Sequence, residues 1–128
     1  MAHSKERLDV RIRRVYPSPA RRDGARIPVD RIWPRGLRKS DAAIERWIGQ
    51  IAPSTALRQW FAHDPTRWEP CQRRHRPELK GQAQILDELR GVARQRPLTL
   101  VYCAHDGQHN PAVVLRAVLL RRSSQVSP

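Results

Sequence analysis

The sequence predicts an α/β fold, a single small domain whose short, mostly parallel sheet is flanked by about five helices. Three observations lead there. Residues 8 to 15, "LDVRIRRV", alternate apolar and charged side chains, as a strand with one wet face does. Beyond Ser40 the apolar residues move to the spacing of an amphipathic helix, and that spacing recurs down the chain. "LTLVYC" (98 to 103) is a continuous apolar run between a proline and a polar loop, the pattern of a strand buried on both faces.

The elements follow in order. After the first strand, Pro17, Pro19 and the Asp23-Gly24 turn put the chain in loop. "RIPVDRIW" (26 to 33) reads as a second strand, which Pro28 confines to an edge, and "PRG" breaks it. Ile44, Trp47, Ile48 and Ile51 form one helical stripe, capped by Ser40 and ended by Pro53. A second helix starts at Ser54 and buries Leu57, Trp60 and Phe61. Asp64-Pro65 then joins a capping acceptor to a proline at the first helical position, and the third helix is expected to kink or stop at Pro77. Residues 81 to 96 form a fourth, with Ile85, Leu86, Leu89 and Val92 inward, and Asn110-Pro111 opens a last, almost wholly apolar helix. The domain spans 1 to 128, with the first residues and 121 to 128 expected to fray.

The net charge of +13 invites a nucleic-acid reading, yet it is spread out. Residues 1 to 40 hold 12 basic and 4 acidic side chains, so the excess leans N-terminal without forming a block. Cys71 and Cys103 show no framework spacing and no leader-like segment precedes them, which predicts reduced thiols and a cytoplasmic protein. No apolar run is long enough for a membrane span, so no membrane partner is expected. The glycines are isolated, without a phosphate-loop or dinucleotide fingerprint, and no cofactor is expected.

In open α/β sheets ligands collect at the carboxyl ends of strands, where a following helix directs its first amides at the crevice. "CAHDGQHN" (103 to 110) holds that place, and a small anion or polar group is its expected guest.

Three blocks carry a resemblance: "VDRIWPRG" (29 to 36), "APSTALRQWFAHDPTRW" (52 to 68) and "LTLVYCAHDGQHNPAVVL" (98 to 115). In order and spacing they resemble the signature blocks of the YeaO-like proteins in the domain of unknown function family 488, over about residues 10 to 120. The resemblance implies a small bacterial α/β fold and a residue pattern, and no reaction. Its pattern falls on Arg31, Trp33, Arg35, Gly36, Trp47, Pro53, Arg58, Phe61, His63, Asp64, Trp68, Tyr102, Asp106, His109 and Asn110. The chain departs from it at Cys71 and His75, where aromatic residues are expected, at Cys103, where a small one is usual, and at Pro111, where polar residues are common. Such differences argue against an essential role for either cysteine.

The candidate site therefore combines His63-Asp64 with His109-Asn110. His109 or His63 is the candidate general base, with Asp106 to orient it, and Arg31, Trp33, Arg35, Arg58, Asp64 and Asn110 are candidate ligand-binding residues. The competing readings are structural: Asp64 and Asn110 as helix caps, the histidines as partners of backbone carbonyls, and the arginines as partners of Asp30, Asp64 and Asp106. Cys103 as a nucleophile lacks a nearby arginine to hold an anion, and Cys103, His105 and His109 lack the second strong pair of a zinc site. No metal is assigned.

The favoured function is thus an anion- or nucleotide-type ligand pocket at the carboxyl ends of the strands, of hydrolase or transferase kind if the protein is an enzyme. One alternative is a basic nucleic-acid-binding or regulatory protein, through non-specific charge or through helix-turn-helix spacing around "IAPSTAL" with Ser54, Thr55, Arg58 and Gln59. Another is a partner-binding domain without chemistry. If the strands running into "DRIWPRG" and "CAHDGQHN" are parallel, those loops share one crevice; if antiparallel, they lie apart. Enzymatic status and oligomeric state stay open at this point.

Overall fold

The computed structural model describes residues 8–15, 21–31 and 48–121. Within these, β1 (Val10–Arg14), β2 (Ala25–Pro28) and β3 (Leu98–Tyr102) form one sheet in the order β1-β3-β2. β3 is central, as its unbroken apolar run predicts, and all five of its residues are buried. Both neighbours run parallel to it, with Val10 and Ala25 each in register with Leu98. Parallel strands need crossovers, and the long connection from β2 to β3 carries α1 (Thr55–Phe61), α2 (Trp68–Lys80) and α3 (Ala83–Gln95). α4 (Pro111–Leu120) follows β3. The fold is therefore α/β with a parallel sheet and four α-helices among the described residues. The additional helix expected from Ser40 falls on residues 41–47, outside those described, and Gly49–Ile51 behind it is a 3-10 turn. No described helix is long and apolar enough to cross a membrane.

The second strand is shorter than the 26 to 33 run suggests. Its ladder continues through Val29 N–H to Val101 O (3.0 Å), but the next amide of β3's extension, Cys103 N–H, donates to the Asp30 carboxylate at 3.0 Å. A side chain has replaced the backbone acceptor, and pairing stops. Pro28 is tolerated because β2 is an edge strand.

Helix starts follow their caps. Ser54 Oγ accepts from Leu57 N–H, Asp64 from Thr66 N–H and Asn110 Oδ1 from Ala112 N–H, with Pro65 and Pro111 in the first turns where a missing N–H costs nothing. After Asp64 the chain makes a 3-10 turn (Pro65–Arg67) before becoming α-helical at Trp68. Pro77 lies inside α2, so of the kink or stop expected there the stop does not occur. The turn beyond it is held from outside the helix: Leu79 is buried, and Glu78 accepts from Ser54 N–H (2.8 Å) and Ser54 Oγ–H (2.7 Å) at the start of α1. These contacts offset the lost intrahelical bond.

One apolar cluster joins Leu98, Leu100 and Tyr102 of β3 to Leu86 and Leu89 of α3 and to Ala112, Leu115 and Leu119 of α4. Ile85 and Val92, expected to point inward, pack against it only partly buried. A smaller cluster of Leu57, Phe61 and Cys71 joins α1 to α2, and Trp68 packs against both. Arg90 is buried in the helix layer because its guanidinium donates to the Leu119 and Val118 carbonyls (both 3.2 Å), closing a helix end that carries no basic residue of its own.

The three strands meet at Asp23. Its carboxylate accepts from Arg13 Nη1 of β1 at 2.5 Å and from Arg26 Nη1 of β2 at 2.6 Å, and its carbonyl accepts from Thr99 Oγ1 of β3 at 2.6 Å. Arg26 is only 2% exposed, so its charge has left water and depends on that carboxylate. Gly24 follows at φ +66°, and a Cβ there would lie 2.2 Å from the Pro97 carbonyl oxygen. That oxygen accepts Ala25 N–H (3.0 Å), which starts the β2–β3 ladder.

Two predictions follow from this corner. Gly24→Ala should destabilise by more than about 2 kcal/mol, since it combines left-handed strain with a backbone collision; denaturant titration should show a lower midpoint at unchanged slope. Asp23→Ala should cost about 3–5 kcal/mol by removing the carboxylate that pairs with buried Arg26, and combining it with Arg26→Met should recover part of that loss.

Candidate functional site

Because β2 and β3 are parallel, the segments leaving them emerge at the same end of the sheet. There they line a cavity of about 640 Å3, closed on its other side by α1, α2 and the turn between them. The end of β2 contributes Asp30 and Arg31. The β3–α4 loop contributes Cys103, His105, Asp106, His109 and Asn110, and the α1–α2 region contributes Arg58, Phe61, His63, Trp68, Cys71 and His75. Every described histidine lines this one cavity. Of the candidates named from sequence, Arg31, Arg58, His63, Asp106, His109 and Asn110 come together here. Asp64 is not in the lining, and Trp33 and Arg35 lie outside the described residues.

The β3–α4 loop is built by its own side chains. Asp106 Oδ1 accepts from the Gln108 and His109 amides (2.9 and 3.2 Å), while Asn110 Nδ2 donates to the Asp106 carbonyl at 3.0 Å. Asp106 Oδ2 accepts from His109 Nδ1–H at 2.6 Å, and this bond from the ring, followed by the Gln108 amide, holds the Asp106 carboxyl below the ordinary range. The bond commits His109 Nδ1 to Asp106 and leaves Nε2 for another partner. Asp106 thus holds the His109 ring in place, and it also shapes the turn.

The start of α4 corrects one expectation. An anion held by free helix amides needs those amides, and they are taken: Pro111 has none, Ala112 N–H goes to the Asn110 side chain (2.9 Å), and Val113 N–H to the Asn110 carbonyl (3.1 Å). Arg31 is likewise committed, with Nε and Nη2 donating to the Pro53 and Ala52 carbonyls at 3.2 Å each. Neither Arg31 nor Arg58 forms a salt bridge with Asp64 or Asp106; Asp64 instead faces Thr66, whose hydrogen bonds lower its pKa, and Arg67. Arg58 is exposed on α1 at the cavity side.

Asp30 is the site residue that sequence reasoning missed, having named it only as an arginine partner. Burial pushes its carboxyl up, while hydrogen bonds from the Cys103 thiol and amide, then the charges of Arg58 and His63, oppose that rise. The signal available was its place, an acid directly after an edge strand. Burial first, then the adjacent Asp30 charge, pushes the Cys103 thiol up to about 12. Burial also raises the Cys71 thiol. His75 is buried and its pKa is lowered by that burial, so the neutral ring donates Nε2–H to the Ile51 carbonyl at 3.1 Å.

The far wall is aromatic. Phe61 and His63 have ring centroids 6.5 Å apart, Phe61 and Trp68 5.7 Å, and Trp68 and His109 5.3 Å, the last pair nearly perpendicular at 79°. His63 reaches this wall through backbone that few side chains adopt: α1 ends at Ala62 (φ 46°) and His63 follows at φ 58°. Among the described residues no three His, Cys, Asp or Glu side chains are grouped to hold a metal ion, and Cys103, His105 and His109 form no such set.

The chain is similar to known proteins over most of its length. A family model described as the inactive DUF488-N3 subclade matches residues 9–127. The chain is 37% identical over 108 residues to the protein YeaO of Escherichia coli K12, an alignment covering 84% of this chain and 94% of that one. It is 38% identical over 110 residues to Mb3100c of Mycobacterium bovis and to Rv3073c of Mycobacterium tuberculosis, covering 86% of this chain and 92% of each. No solved structure matches it. With the blocks around Arg31, His63 and His109 all inside the matched span, the chain belongs to the DUF488 family, as a YeaO-like member of its inactive DUF488-N3 subclade.

Proposed function

We propose that this protein binds a small anionic molecule in the cavity at the carboxyl ends of its strands and does not transform it. The observation that carries the reading is convergence: two strand ends and the α1–α2 turn bring Arg58, His63 and His109 to one cavity of about 640 Å3, within the range of small-molecule sites. The anion would meet Arg58 and the histidines, because the Arg31 fork is occupied by carbonyls and the α4 amides by Asn110.

A covalent hydrolase or transferase working through a hydroxyl, an amine or a thiol would need that group activated in the cavity. The described lining residues include no serine, threonine or lysine, and both thiols are held protonated by burial. The family description as inactive supports binding without turnover. The two free cysteines suit the reducing cytoplasm.

Thermal-shift titration with phosphates, nucleotides and small carboxylates tests the reading. A ligand at about 100 times its dissociation constant should add about 2.7 kcal/mol and raise Tm by several degrees. Arg58→Ala and His109→Ala should remove most of that shift, and the ligand should be recovered unchanged; equal shifts in all three proteins, or consumption of the ligand, would count against the proposal. The thiol argument has its own check. At about pH 8 iodoacetamide should alkylate Cys103 more than about 100-fold slower than a free thiol, and Asp30→Asn should speed the reaction.

A further inference from the structure

We infer that the ligand of this cavity carries a planar aromatic or heteroaromatic ring beside its anionic group, with the ring against the wall of Phe61, Trp68 and His109 and the anion at Arg58. This rests on the ligand-binding reading above and narrows the class of molecule. Size is the first argument: a cavity of about 640 Å3 is far larger than an inorganic anion needs. The second is the shape of the wall. Phe61 and Trp68 are tilted by 54° with centroids 5.7 Å apart, and His109 stands at 79° to Trp68 at 5.3 Å. Two nearly perpendicular rings make a corner, in which a flat guest can stack on one and present its edge to the other, the two geometries aromatic pairs prefer.

The wall is also fixed in place. Trp68 packs against both apolar clusters, and the Asp106 carboxylate holds the His109 ring at 2.6 Å, so neither ring must be ordered when a ligand arrives. Charge sets the orientation. Arg58 lies one turn before Phe61 on α1, which places the cation beside the wall, and its field reaches Asp30 across the cavity. A ring bearing a carboxylate or a phosphate satisfies both features, whereas an aliphatic acid gains only the charge and the apolar contact.

Calorimetric titration of the full chain with benzoate, cyclohexanecarboxylate, adenosine monophosphate and inorganic phosphate tests the inference. At least one of the two ring-bearing anions should bind about tenfold or more tightly than phosphate, and benzoate should exceed cyclohexanecarboxylate, its non-aromatic equal in charge and size. Whichever of benzoate and the nucleotide binds better names the source of the ring. Arg58→Gln should weaken all the anions. Trp68→Phe should keep the preference for aromatic over saturated rings and Trp68→Leu should lose it, while Arg73→Gln, paired with Glu69 outside the cavity, should change nothing. Cyclohexanecarboxylate matching benzoate, together with phosphate matching the nucleotide, would overturn the ring and keep the anion pocket. Failure of all four to bind at about 10 mM would overturn both.

Discussion

A single buried carboxylate, that of Asp23, governs the geometry on which everything at the other end of the sheet depends. It lies between Arg13 of β1 and Arg26 of β2, and its own carbonyl is tied to Thr99 of β3. A three-stranded parallel sheet is small, and its two edge strands share no hydrogen bonds with each other. Asp23 links those edges directly. Buried ion pairs contribute little net stability but penalise any arrangement that separates them, so the pair specifies register more than it adds free energy. With Gly24 letting the Pro97 carbonyl approach, that register puts Ala25 opposite Leu98 and brings Asp30 to the Cys103 amide.

What the sequence makes legible here is local or periodic. The central strand shows as five consecutive residues buried on both faces, and the caps Ser54, Asp64 and Asn110 are read from residue type and the proline that follows two of them. The meeting of the segments carrying Arg31 and His109 at one cavity follows once β2 and β3 are parallel. Long-range replacements of a local rule are what stay hidden. Pro77 reads as a kink or a stop because nothing nearby announces that Glu78 will clasp Ser54. Nothing local to Arg90 announces that it closes a helix end 29 positions away. Asn110 reads correctly as a cap, and that same success closes the amides that an anion was expected to use.

Asp30 shows why a site can be half visible. Its value lies in what surrounds it: the Cys103 amide and thiol on one side, and Arg58 and His63 on the other. None of these is within 25 positions of it in the chain except by way of the fold. The cysteine beside it looks like a strand-end nucleophile in one dimension. In three dimensions an adjacent carboxylate and burial hold the thiol protonated to about 12, which is the reverse of activation.

The cavity wall has the same dual character. Trp68 joins the two apolar clusters and so is required for packing, while one of its faces belongs to the cavity. His63 and Ala62 both occupy left-handed backbone, a cost of about 1 kcal/mol or more for each side chain. A glycine at Ala62 would relieve part of it, and a longer turn would relieve all of it. The tight version brings the end of α1 to Asp64, the cap of the 3-10 turn before α2, with Asp64 N–H bonded to the Phe61 carbonyl at 2.9 Å, and it holds His63 against Phe61 on the cavity side. Strain is thus retained where it positions a cavity-lining histidine, beside rings already locked by packing and by Asp106, so the shape of the cavity is set by the fold itself.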